Sequence, residues 1–124
     1  MAKLLSRVGK VGNLGQAEQI ILTAILMAGE NAYGVTIHEK VDQILGGHHR
    51  ISTGAVYVTL ERLEQKGFCR SWFSEPTPGR GGRAKRFYEI TAPGSRALDN
   101  SIRLSTRIVD GLRGIGALGD PNAA

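Results

Sequence analysis

The sequence predicts a mainly α-helical domain carrying one β-hairpin, and three observations lead there. Three short stretches with helical periodicity come first. A basic, glycine-tipped segment between two strand-forming runs follows, and a longer amphipathic stretch comes last. At 124 residues the chain has the length of a single domain. With 41% apolar and 22% charged residues it can bury one modest core and keep an ordinary water-facing surface.

The elements follow in order. Residues 1–14 (MAKLLSRVGKVGNL) are basic, contain no carboxylate and lack the apolar centre of a signal peptide, so they read as a basic N-terminal arm. From Gln16 the pattern turns helical, with Ile20, Ile21, Ala24, Ile25 and Ala28 forming the stripe that faces a core. Gly29–Ala32 interrupts it. A second helix is expected from about Tyr33 to Leu45, on Val35, Ile37, Val41 and Leu45, and Gly46-Gly47 stops it. Ser52 is placed to cap a third helix, because its hydroxyl can accept a free backbone N–H of the first turn. Val56, Leu60 and Leu63 make that helix's buried stripe, and Gly67 stands where a left-handed terminator belongs. Strands are expected over Phe68–Phe73 and Ala84–Ile90, joined by EPTPGRGGR. On the first of them Trp72 and Phe73 alternate, so one should face the domain and the other solvent or the partner. Thr91 caps a final helix of about Ala92–Leu112. Three helices, a hairpin and a last helix describe a winged helix-turn-helix over residues 15–91. A C-terminal dimerisation helix follows over 92–113, and then a flexible tail over 114–124.

Charge and cysteine usage narrow the function classes. The formal net charge is +5 and the pI about 9.8, which favours polyanionic partners. A single cysteine, Cys69, cannot form an intramolecular disulfide framework, and its expected role is that of a small buried apolar group. The longest apolar run, Ile20–Ala28, is broken by Thr23 and too short to cross a bilayer, so a cytoplasmic protein without membrane association is expected. His38, His48, His49 and Cys69 lack CxxC, HxxxH or HxH spacing, and no metal or cofactor is expected. No nucleophile–base pairing is visible, and the GRGG turn lacks the GxxxxGK[ST] pattern of a phosphate loop, so the chain does not read as an enzyme.

The third helix and the hairpin together suit duplex DNA. A helix that enters the major groove needs one small, uncharged face. Here the exposed positions of the first turns are Ser52, Thr53, Gly54, Tyr57 and Val58, while Glu61 and Glu64 come later and would be repelled by phosphates. Behind it, Arg70–Arg86 holds five Arg/Lys residues against one carboxylate, Glu75. Arg80, Gly81, Gly82, Arg83, Lys85 and Arg86 form a glycine-tipped basic cluster suited to gripping the backbone. The reading is a sequence-specific DNA-binding regulator that uses the 52–66 helix and the 74–86 wing. The alternative is a winged-helix adaptor that binds protein without specific DNA recognition. RNA binding is disfavoured, because aromatic residues are few and scattered.

AYG in the second helix, STGAVYVTLERLEQKG and GGRAKRFYEIT together resemble the PadR family of winged-helix transcription regulators, in its short, C-terminally truncated branch. The resemblance covers about Gly15–Leu112. It implies a homodimeric repressor with a C-terminal dimerisation helix. Tyr33-Gly34 matches the family's turn into the second helix. Ser52, Thr53, Gly54 and Tyr57 match its recognition segment, and Gly81, Gly82, Arg83, Lys85 and Tyr88 its wing. Some small relatives bind flat aromatic drugs between their last helices. No aromatic residue lies between Thr91 and Ala124, and the identity of any small-molecule effector is not written in the sequence.

The last helix carries Leu98, Ile102, Val109 and Leu112 on one stripe and Leu104 and Ile108 on a second. Apolar residues on more than one side ask for more than one packing surface, so these six positions are expected at a homodimer interface. A two-fold dimer sets its recognition helices roughly 34 Å apart and predicts a pseudo-palindromic operator.

Overall fold

The computed structural model describes residues 14–75 and 84–119. Helix α1 spans Gln16–Ala28 and runs into a 3-10 turn, Gly29–Asn31. Helix α2 spans Gly34–Leu45 and α3 Thr53–Gln65. Strands β1 (Cys69–Phe73) and β2 (Arg86–Ile90) form the hairpin, and α4 runs Ala92–Gly114. This is the winged arrangement, with a C-terminal helix, that the sequence predicts.

Each helix starts and stops for a local reason. Ser52 Oγ accepts the Ala55 N–H at 3.1 Å, and Thr91 Oγ1 accepts the Gly94 N–H at 3.2 Å, so both expected caps are in place. At the end of α3, Gly67 has φ +78°. There the Phe68 N–H reaches the Leu63 carbonyl at 2.9 Å and the Gly67 N–H the Glu64 carbonyl at 2.9 Å, which closes the last turn. The same closure ends α4, through Gly116 to Arg113 and Ala117 to Leu112. The stretch expected to fray from residue 114 therefore begins with a hydrogen-bonded cap.

The core lies where the three short helices meet. Ile21, Leu22, Ile37, Val41, Val56, Leu60 and Leu63 are fully buried, and Cys69, Tyr88 and Leu98 close it from the hairpin and α4. Burying one such aliphatic side chain contributes about 1.5–3 kcal/mol. Leu22 falls outside the stripe read from the sequence. It is buried because α1 is central, touching α2, α3, β2 and α4. Of the apolar positions read in α2, Ile37 and Val41 are buried and Val35 is exposed. Leu14, the last residue of the expected arm, is also in the core. Residues 1–13 lie outside the described part.

The hairpin is antiparallel, with Cys69 opposite Ile90 and Phe73 opposite Arg86. Strand β2, paired with β1 on one edge, is joined on the other to the start of α2. The Tyr88 N–H donates to the Ala32 carbonyl at 2.8 Å, and Tyr33 bridges Phe87. Helix α4 can dock closely because residue 94 is glycine. A Cβ there would overlap the Phe68 carbonyl oxygen and sit 2.8 Å from its carbon. Gly94, Leu98 and Ser101 are buried, whereas α4 from Ile102 onward is exposed.

Candidate nucleic-acid interface

The start of α3 stands clear of the core. The turn before it is pinned to α2 by His38, whose Nε2 lies 2.8 Å from the Ile51 carbonyl. A carbonyl only accepts, so that nitrogen carries the proton. Helix α3 then buries Val56, Thr59, Leu60 and Leu63 on one side. The opposite side presents Ser52, Thr53, Gly54, Tyr57 and Val58, all exposed. Among the described residues no carboxylate lies on this surface before Glu61. Tyr57 is the exception to its freedom. Its phenol crosses to the first residue of α2, where a Cβ on Gly34 would overlap its hydroxyl and sit 2.8 Å from Cζ. Glycine at a helix start costs propensity relative to alanine, and room for Tyr57 is what it gives in return.

The hairpin base is different, because its cations are engaged within the domain. Arg70 pairs with Glu89 across the strands. Lys85 Nζ sits 4.4 Å above the Tyr33 ring. Arg86, read from the sequence as part of the phosphate grip, points back to α3. Its Nη2 lies 2.6 Å from Glu64 Oε2 and its Nε 2.9 Å from Ser71 Oγ, between the rings of Phe73 and Tyr88. Glu64, which the sequence suggested only as a group kept away from DNA, is its partner. The two residues are 22 apart in sequence, and no local spacing signals the pair. Arg80, Gly81, Gly82 and Arg83 lie outside the described residues.

Trp72 and Phe73 are both exposed, at 43% and 68%, although Trp72 borders a cavity with Ile25 and Leu26 of α1. Trp72 stacks on Phe87 with centroids 6.2 Å apart, and Phe87 meets Tyr33 edge-on at 5.6 Å. Inward from them, Cys69 is buried against the Leu60 carbonyl. Burial, helped by the Glu64 charge and opposed by Arg86, pushes its thiol up to about 11. Another interior polar group was also missed by sequence reading. The buried Glu18 carboxylate takes the Gly15 N–H and the Lys66 ammonium, tying the start of α1 to the end of α3. Among the described residues no three His, Cys, Asp or Glu side chains gather as a metal site, and no helix is long and apolar enough to cross a membrane.

On α4 the six expected interface positions separate. Leu98 is only 6% exposed and belongs to its own chain's core, so it is not available to a second copy. Ile102, Leu104, Ile108, Val109 and Leu112 are exposed, and Ile115 extends the apolar surface.

A family model described as the transcriptional regulator PadR-like family matches residues 21–100, more than half of the chain. No curated protein matches the sequence. Among solved structures, a PadR family transcription regulator from Clostridium difficile R20291 is 23% identical. The match covers 82% of this chain and 98% of that one, with a TM-score of 0.61. A PadR-like transcriptional regulator from Bacillus cereus ATCC 14579 is 20% identical over 83% and 92% of the two chains, with a TM-score of 0.63. The Aeropyrum pernix ORC1 protein, solved in complex with DNA, is 19% identical. That match covers 81% of this chain but 26% of the larger one, with a TM-score of 0.62. At these identities the likeness to each structure shows the fold alone.

Proposed function

The chain belongs to the PadR-like family of transcriptional regulators, and we propose that it is a sequence-specific DNA-binding repressor acting as a homodimer. The observation that carries this reading is the start of α3. It is capped, uncharged and exposed at Thr53, Gly54 and Val58, and it rests on a fully buried stripe. A helix presented in this way enters a major groove N-terminus first, where Thr53 and Val58 can meet a thymine methyl or a base edge. Ser52 and Tyr57 flank that edge beside the backbone. Arg80, Gly81, Gly82, Arg83 and Lys85 of the wing supply the sequence-independent grip through phosphate contact. The same fold occurs in a protein solved in complex with DNA, which supports this use of it.

Dimerisation follows from α4. Its second half carries Ile102, Leu104, Ile108, Val109 and Leu112 exposed on a helix that its own domain does not cover. A second copy is the partner that satisfies this surface with two-fold symmetry. Repression is by occlusion of a promoter in the cytoplasm. Light scattering on the protein at micromolar concentration should give twice the chain mass, and Ile108→Asp with Leu112→Asp should give the monomer.

The functional reading is tested by titrating the protein onto the promoter upstream of its own gene, at two salt concentrations and with excess nonspecific duplex. Salt-sensitive binding that survives the competitor is expected. Binding abolished by the competitor leaves only a basic surface and contradicts the reading for that promoter.

A further inference from the structure

We infer that Glu64, Ser71 and Arg86 form a brace that sets the wing against the recognition helix, and that the brace keeps Arg86 out of the phosphate contacts. For its binding readout the inference rests on the DNA reading above.

The three side chains come from three elements and close a triangle. The Ser71 hydroxyl donates to Glu64 Oε1 at 2.6 Å and accepts from Arg86 Nε at 2.9 Å, while Arg86 Nη2 donates to Glu64 Oε2 at 2.6 Å. The guanidinium carbon also sits 5.7 Å from the Phe73 ring centroid and 5.4 Å from that of Tyr88. Arg86 is the first residue of β2 and faces Phe73, the last residue of β1. The triangle therefore spans from the base of the hairpin towards the end from which the tip departs, and Glu64 lies in the last turn of α3. A half-exposed ion pair alone contributes little to stability. Three mutually hydrogen-bonded groups with a planar cation between two rings fix direction more than they add energy, and lysine cannot reproduce that geometry.

Two consequences follow. The placement of β1 and β2 against α3, and so against Thr53, Gly54 and Val58, is set by this triangle, so it governs discrimination between DNA sequences. Glu64, whose charge would otherwise repel phosphate, is neutralised by Arg86, and removing it releases a cation.

The test compares wild type, Arg86→Met, Arg86→Lys and Glu64→Ala. Each is titrated with the bound promoter duplex and an unrelated duplex over a salt series, and hydrogen exchange is measured without DNA. Arg86→Met should weaken promoter binding while leaving the slope of log affinity against log salt unchanged. Glu64→Ala should tighten binding to both duplexes, narrow the difference between them and steepen the slope by about one. All three variants, Arg86→Lys included, should speed exchange across Cys69–Phe73 and Arg86–Ile90 and leave α1 unchanged. Arg86→Met flattening the slope by about one, with hairpin exchange unaltered, overturns the brace and makes Arg86 a phosphate contact. A wild-type protein that binds neither duplex overturns the DNA reading instead. In that case the exchange measurement alone decides the brace, and unaltered hairpin exchange in the variants rejects it.

Discussion

The start of α3 and the base of the hairpin use their polar groups in opposite ways. At the helix start, Thr53, Gly54 and Val58 are exposed, and among the described residues they make no side-chain hydrogen bond or ion pair. At the hairpin base, Arg70, Lys85 and Arg86 are each engaged by Glu89, the Tyr33 ring and Glu64. The difference teaches that counting cations along a sequence overstates how many can grip a polyanion. On the proposed DNA reading, the helix start is left free to read, while Arg70, Lys85 and Arg86 serve the packing of the hairpin.

The comparison is broken most severely by removing what both regions stand on. Leu60→Ala should cost about 2–5 kcal/mol, measured as a lowered denaturant midpoint, because the fully buried side chain leaves a cavity beneath α3. Next in size, Thr53→Ala or Val58→Ala should change the preference among duplexes by about 1–3 kcal/mol at individual base pairs, with little change in stability. A uniform loss across all duplexes would deny the helix start its reading role. Ser52→Ala should then cost about 1 kcal/mol of stability, since the Ala55 N–H loses its cap.

The smallest effect concerns Cys69 in the closed hairpin base. With its thiol pushed from 9.0 to about 11, alkylation near pH 8 should run about 100-fold slower than for a free thiol. Burial raises both this group and Tyr88. The neutral Cys69 thiol therefore supports the fold fully below pH 9, and that support is lost as pH rises towards 11; the support from neutral Tyr88 is lost as pH rises above its ordinary value of 10.0. Thermal melts across this range should show the decline, less steep in Cys69→Ala. Rapid alkylation at pH 8 would mean the hairpin base opens readily.

What could be read in the sequence was local. Ser52 and Thr91 announce their caps by residue type and place, and Gly67 announces the end of α3. The stripes Ile21–Ala24–Ile25 and Val56–Leu60–Leu63 announce their buried faces by period. What could not be read depends on contacts between distant segments. Leu22 is buried only because α1 is covered on several sides. The bridge from Tyr33 to Phe87 joins residues with no shared pattern, and Arg86 looks free until Glu64 is brought beside it. Leu98 and Ile102 share a stripe in sequence, yet the core takes one and leaves the other, because the domain ends between them.

The most direct test of the central claim is selection of bound sequences from a randomised duplex pool by the full-length protein. The account predicts enrichment of a pseudo-palindrome with half-sites about one helical turn apart, and altered preferences within the half-sites for Thr53→Ala. Retention of DNA without any enriched sequence would contradict it and leave a basic winged domain that grips duplexes without reading them.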